Sequence, residues 1–252
     1  MSEPLLTFQH ITICAGNKPL ATDISFTLQE GEILVIAGES GSGKSTLLRA
    51  AAGLPAPGTG ITGGIITWDG HRLHHQSSWK ALRPTGISVV FQDALTSFCP
   101  VCTVYQQLWD AARTAGLCHQ EFDRILSGRA ALLSLPPDSL SSYPQELSGG
   151  MIQRAELLFP LIIPPRLVLA DEPTSAVDSI TQKKMADALL RLRRHHRTAI
   201  ILVTHDLRLA AYLADTLLVL KKGRIQEYGP APAVLKHPGS AYTRELLSHS
   251  IL

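Results

Sequence analysis

The strongest constraint on this chain lies between Glu32 and Leu54, in EILVIAGESGSGKSTLLRAAAGL. Ile33 to Ala37 is a short apolar run of the kind that fills a parallel strand buried on both faces. Gly38-Glu39-Ser40-Gly41-Ser42-Gly43-Lys44-Ser45 then fits G-x-x-x-x-G-K-[ST] in full. Leu47, Leu48, Ala51 and Ala52 follow at helical spacing, and Gly53 with Pro55 stops the helix. A chance glycine-rich turn would not place three glycines and Lys-Ser between a buried strand and a helix. The glycines let backbone N–H groups converge on a polyphosphate, and the new helix points its positive end at the same place. In such a loop Lys44 neutralises the terminal phosphates and the Ser45 hydroxyl ligates Mg²⁺, with Gly38 through Thr46 as contacts. The stretch predicts a nucleotide site.

The rest of the chain bounds what that site can serve. A chain of 252 residues at 45% hydrophobic can bury a large core, as one domain or a domain with a lobe. Net charge is +2 with 17% charged residues, so no field argues for a nucleic-acid partner. The one basic cluster, Arg191 to Arg197, reads as the end of a helix. Four cysteines, no leader and no spanning apolar run predict a reducing compartment. The longest candidate span, Leu157 to Ala170, is broken by Pro160, Pro164, Pro165 and Arg166, so work at a membrane would be done on it rather than in it.

Residues 5–31 alternate loosely and predict antiparallel strands turning at Gly16-Asn17, with another strand from Gly64 to Trp68 closed by Asp69-Gly70. His71, His74 and His75 lack acidic or cysteine partners in sequence and read as surface rather than as a metal site. GISVVFQ, Gly86 to Gln92, is a further buried strand. From Asp93 to about Leu161 helices, prolines and serines predominate, which predicts an inserted helical lobe (93–161) between core segments 1–92 and 162–252. RLVLADEP and TAIILVTHD are two more short strands. The alternation predicts an α/β fold with a mostly parallel sheet and helices on both faces.

Three of these strands end on residues with chemistry, where ligands bind in such sheets. Leu167 to Ala170 runs into Asp171-Glu172, adjacent acids that are costly after a buried strand unless they handle a cation or a proton. Asp171 can hold Mg²⁺ through water and Glu172 can polarise an attacking water. Ile200 to Val203 runs into Thr204-His205, and His205 is a candidate γ-phosphate contact. Gln92 can reach both Mg²⁺ and the water. Together they predict phosphoryl transfer to water.

Leu147-Ser148-Gly149-Gly150-Met151-Ile152-Gln153-Arg154 narrows the reading. With it, nearly the whole chain resembles the ATP-binding subunits of ABC transporters. GESGSGKS resembles their Walker A, Gln92 the Q-loop glutamine, LSGGM the signature, LVLADE the Walker B with its catalytic glutamate, Ser175-Ala176-Val177-Asp178 the D-loop, and His205 the switch histidine. The resemblance implies a P-loop NTPase core with an N-terminal antiparallel β-subdomain and a helical lobe, and ATP with Mg²⁺ as cofactors. It also implies Ser148, Gly149, Gly150 and Asp178 as contacts for a nucleotide sandwiched with a second homologous ATPase subunit. In physical terms Ser148-Gly149-Gly150 opens a second anion-binding helix start, which one chain needs only if it serves a partner.

FQDALTSFCPVCTVYQQL, SGGMIQR and HPGSAYTRELL are similar to the oligopeptide and nickel importer branch, and the short length is most similar to its D-type nickel or metal–metallophore ATPases. That branch implies membrane-spanning permease subunits seated on about Phe91 to Leu108, a substrate-binding protein acting through them, and a peripheral place on the cytoplasmic face of a bacterial inner membrane. There are departures. Met151 replaces the usual glutamine, and Ala15 stands where an aromatic often stacks on adenine, with no aromatic between Phe8 and Phe26. Cys99-Pro100-Val101-Cys102 spells C-x-x-C without a second ligand pair and reads as coincidence, and Pro160 should kink or end its helix. Two rival classes are a non-transport ABC ATPase acting on ribosomes or DNA, against which stand a single nucleotide domain and no coiled coil, and a non-hydrolysing regulatory subunit, against which stand Glu172 and His205.

Overall fold

The computed structural model describes residues 3–73, 76–82 and 86–250, so His74 and His75 of the predicted histidine loop lie outside the described residues. In chain order the first elements are β1 (Leu6–Ala15), β2 (Lys18–Leu28), β3 (Ile33–Ala37), α1 (Lys44–Ala51), β4 (Thr59–Trp68), β5 (His71–Arg72) and α2 (Gln76–Leu82). Then come β6 (Ile87–Val90), α3 (Val104–Thr114), α4 (His119–Leu132), α5 (Gly149–Ile162), β7 (Leu167–Asp171) and α6 (Ser179–His196). The chain closes with β8 (Ala199–Thr204), α7 (Leu207–Leu213), β9 (Thr216–Lys221), β10 (Arg224–Pro230), α8 (Ala231–Lys236) and α9 (Ala241–Ser250). The architecture is α/β, with an N-terminal antiparallel sheet, as the sequence predicts. Contacts divide it into two compact units, 1–83 with 199–252, and 84–198.

In the first unit β1 pairs with β2 through the Gly16-Asn17 turn and with β4 on its other edge. Phe8 stacks on Phe26 across the first pair, with ring centroids 4.5 Å apart, and both rings are buried. The β4–β5 hairpin turns at Asp69-Gly70, as expected, but β4 begins at Thr59 rather than at Gly64. Gly60, Gly63 and Gly64 hide that extension in the sequence because glycine weakens the strand pattern. The same unit holds β3 between β8 and β9, parallel to both, with β10 antiparallel on β9. β3 and β8 are buried at every position, which is why they read as Ile/Leu/Val/Ala runs, unbroken in β3 and up to Thr204 in β8.

In the second unit β6 and β7 pair in parallel, and β7 too is buried throughout. Helices carry explicit start signals. Thr103 caps α3 in a capping box with Gln106, Ser148 caps α5, and Asp178 caps α6. α6 ends in Arg193, Arg194, His195 and His196, with Arg197 left-handed after it, so the basic cluster lies at a helix C-terminus. α5 runs through Pro160 to Ile162, so Pro160 does not end it.

Candidate functional site

In the first unit the phosphate loop leaves the end of β3 and enters α1. Ala37 pairs with Thr204, so the loop and His205 depart together from the C-terminal ends of neighbouring parallel strands. His205 is exposed there, and Asp206 after it caps α7 by accepting from the Arg208 and Leu209 amides at 2.8 and 3.3 Å. The loop is held open from within. The Lys44 ammonium, 6% exposed, donates to the Gly38 and Glu39 carbonyls at 2.8 Å each. Gly38 has φ +152°, and a Cβ there would lie 2.2 Å from the Leu220 carbonyl oxygen, so no side chain fits at the root of the loop. The buried Ser42 Oγ has no hydrogen-bond partner among the described residues. A cradle that excludes a Cβ, with a buried hydroxyl awaiting an acceptor, fits a bound polyphosphate. Tyr242 of α9, which the sequence did not single out, accepts from the Glu39 amide at 3.2 Å and lies under the Lys221 ammonium at 4.0 Å.

In the second unit Val90 pairs with Ala170, so Gln92 and Asp171-Glu172 emerge side by side from β6 and β7. Asp171 is buried at 4% exposure, Gln92 is exposed, and Glu172 is half-buried with φ +46°. A glutamate held in the left-handed region stores strain of the kind found at functional turns. Within this unit Gln92 and Asp171 offer an amide oxygen and a carboxylate, oxygen donors of the kind Mg²⁺ takes.

The same unit carries Ser148, Gly149 and Gly150. Ser148 accepts from the Met151 amide at 3.4 Å, and both it and Gly149 are exposed. A Cβ on Gly150 would come within 3.1 Å of the Ala176 carbonyl, so this glycine permits close approach of the 175–178 segment. Gln153, missed as a site residue, explains the join. It is 4% exposed, donates to Ser175 Oγ at 3.1 Å and accepts from the Ala176 amide at 3.2 Å. The Asp178 carboxylate accepts from the Ile180 and Thr181 amides at 3.0 Å and the Thr181 hydroxyl at 2.8 Å, which holds it below the usual carboxylate range. Cys99 and Cys102 are thiols in a turn whose carbonyls receive Gln107 Nε2 at 3.0 and 2.9 Å. Among the described residues there is no cluster of three or more His, Cys, Asp or Glu able to hold a metal.

Glu156, also missed, is the one strongly perturbed acid on α5. It is 2% exposed, and burial pushes its carboxyl up from 4.5 to about 7 against opposing bonds from Phe91 and Ser97. The only sequence signal is a carboxylate inside the apolar run of α5. Because the folded state holds this proton more tightly than the unfolded chain, stability falls as pH rises from about 4.5 to about 7, a loss of roughly 3 kcal/mol. Glu156→Gln is therefore expected to melt several degrees above wild type at pH 8 and to match it near pH 4.5. Thermal unfolding at the two pH values checks this, and an equal shift at both would contradict it.

A glycine loop between a buried parallel strand and a helix defines a nucleotide-binding loop of the P-loop class. Residues 21–175 match the ABC transporter family. The chain is 39% identical over 251 residues to the metal-staphylopine import system ATP-binding protein CntD of Staphylococcus aureus, covering 97% of this chain and 92% of that one. It is 37% identical over 240 residues to the oligopeptide transport ATP-binding protein OppD of Salmonella typhimurium, covering 92% and 71%. In fold it is similar to the ATP-binding cassette MJ0796 bound to ADP and Pi, with TM-score 0.79, 24% identity and coverage of 90% and 98%. It is also similar to an ATP-binding subunit of an ABC transporter, with TM-score 0.81, 23% identity and coverage of 98% and 100%. The chain belongs to the ABC transporter family and is one of its ATPases, consistent with the importer branch.

Proposed function

We propose that this chain is the ATP-binding subunit of an importer, hydrolysing ATP to drive uptake of a metal chelate, nickel among the candidates, or a peptide through partner membrane subunits. The observation that carries the reading is that one chain owns two glycine-bearing helix starts suited to anions, the phosphate loop at α1 and the Ser148 cap at α5. The first binds this chain's ATP, with Gly38–Thr46 around the phosphates. The second, with Gly149, Gly150 and Asp178, closes on the ATP of a second homologous subunit. Ser45, Gln92 and Asp171 would hold Mg²⁺, which supplies charge neutralisation on the phosphates. Glu172 takes a proton from the attacking water, His205 contacts the γ-phosphate, and Gln92 orients the water.

Residues 93–161 form the lobe that meets the membrane subunits. Phe91 to Leu108 is the docking segment, and its exposed Leu95 (47%) and Val101 (78%) suit burial against an apolar partner. Among the described residues no helix is long and apolar enough to cross a membrane. The reading places the subunit peripherally on the cytoplasmic face of a bacterial inner membrane, with a substrate-binding protein supplying cargo and no nucleic acid involved. The similarity to the metal-staphylopine system favours a metal chelate over a peptide. Phe8 is stacked on Phe26 in the core, so it is committed away from adenine.

The test is co-expression of the tagged chain with candidate permease subunits, followed by ATP-dependent uptake in vesicles. Recovery with ribosomes instead of membrane subunits would overturn it. Lys44→Ala is expected to weaken MgATP binding roughly tenfold or more, because a charge-assisted contact is lost. Titration of nucleotide into the lone subunit checks this, and unchanged affinity would show that the loop does not bind phosphate through Lys44.

A further inference from the structure

Helix α5 grips more than one functional segment, and it does so with successive side chains. Ser148 caps its start, Gln153 holds the Ser175–Ala176 backbone, and Glu156, one turn further, reaches the stretch around Gln92. Gln153, Glu156 and Phe159 are spaced by three, so they follow one another along a face. Glu156 Oε1 accepts from the Phe91 amide at 3.0 Å and from the Ser97 hydroxyl. Those two donors bracket Gln92 and the short 3-10 turn Ala94–Ser97. Phe159 then meets Phe98 with centroids 5.6 Å apart, and both Ala94 and Phe98 are buried. The carboxyl stands in the apolar second half of α5, with Asp93 as a neighbouring like charge and Oε2 buried without a hydrogen-bond partner among the described residues.

We propose that Glu156 is a positioning residue that locks the Gln92 segment to the helix opened by Ser148, so that a push on residues 91–98 moves α5 and its cap as one body. The proposal rests on the reading that Phe91 to Leu108 docks on membrane subunits. Glu156 touches no nucleotide; it acts through the Phe91 backbone and Ser97. What the clamp requires is an acceptor oxygen, not a charge, so Gln can replace Glu and Leu cannot.

The test uses Glu156→Leu, Glu156→Gln and Ser97→Ala, each in the lone subunit and in the assembled transporter. Hydrogen exchange at the Phe91 amide should accelerate about tenfold or more in Glu156→Leu and stay near wild type in Glu156→Gln. Nucleotide affinity of the lone subunit should stay within about twofold for all three, while cargo-stimulated hydrolysis in the transporter falls about tenfold or more in Glu156→Leu and recovers in Glu156→Gln. Ser97→Ala added to Glu156→Leu should cause no further loss, because both remove one clamp. Unchanged Phe91 exchange in Glu156→Leu overturns the clamp. Faster exchange with unaltered stimulation overturns the positioning role, as does an equal loss in Glu156→Gln. If the wild-type chain is not stimulated by membrane subunits, the docking reading fails separately, and Phe91 exchange still decides for or against the clamp.

Discussion

Glu172→Gln should leave ATP binding intact and slow hydrolysis at its own site by ~10²-fold or more. Glu172 follows the buried Asp171 at the end of β7, in a left-handed conformation that the turn to Ser175 imposes, with the Ser175 amide donating to its carbonyl at 3.2 Å. An amide keeps the size and most of the hydrogen bonding of the carboxylate but cannot take a proton from water. The change therefore separates binding from chemistry. A partner subunit with its own complete site could conceal part of the loss, so the rate is read in single turnover with that second site inactivated. Wild-type turnover under those conditions would remove Glu172 from the role of base.

What the sequence reveals here follows from how each element is made. Strands buried on both faces are largely apolar, so β3, β7 and β8 stand out as short Ile/Leu/Val/Ala runs, and the polar residues at or just after their ends become visible. The phosphate loop is legible for the same reason: Gly38 has no room for a Cβ, and a helix must begin at Lys44. Ser148 is legible as a helix start, whereas Asp178 is implied only by the family resemblance and its capping of α6 needs the structure. Less accessible were features that depend on distant partners. Nothing local marks Tyr242 as the acceptor for Glu39, 203 residues away, or Gln153 as the brace of Ser175 and Ala176. The pattern foreshortens β4 because its glycines carry no strand signal, and the β9–β10 hairpin is hard to read because β10, RIQEYGP, holds few apolar residues. Glu156 did carry a signal, a carboxylate among apolar helix residues, but its meaning needs Phe91 and Ser97 in place.

The central claim is that the Ser148 helix start serves another subunit's nucleotide, and Ser148→Arg addresses it directly. Ser148 is exposed, and its side chain caps α5 through a long 3.4 Å bond from Met151, so the substitution costs the lone chain about 1 kcal/mol or less. In an ATP sandwich, the added bulk would meet the partner's γ-phosphate and displace donors from the transition state, a loss on the order of a hundredfold. The deciding measurement is paired: ATP affinity of the lone Ser148→Arg subunit, and the ATPase rate of the assembled transporter that carries it. The account predicts near-wild-type affinity with the rate lost. Abolished binding in the lone chain would mean that the signature serves its own nucleotide, and wild-type values for both would mean that Ser148 takes no part in hydrolysis; either result contradicts the sandwich.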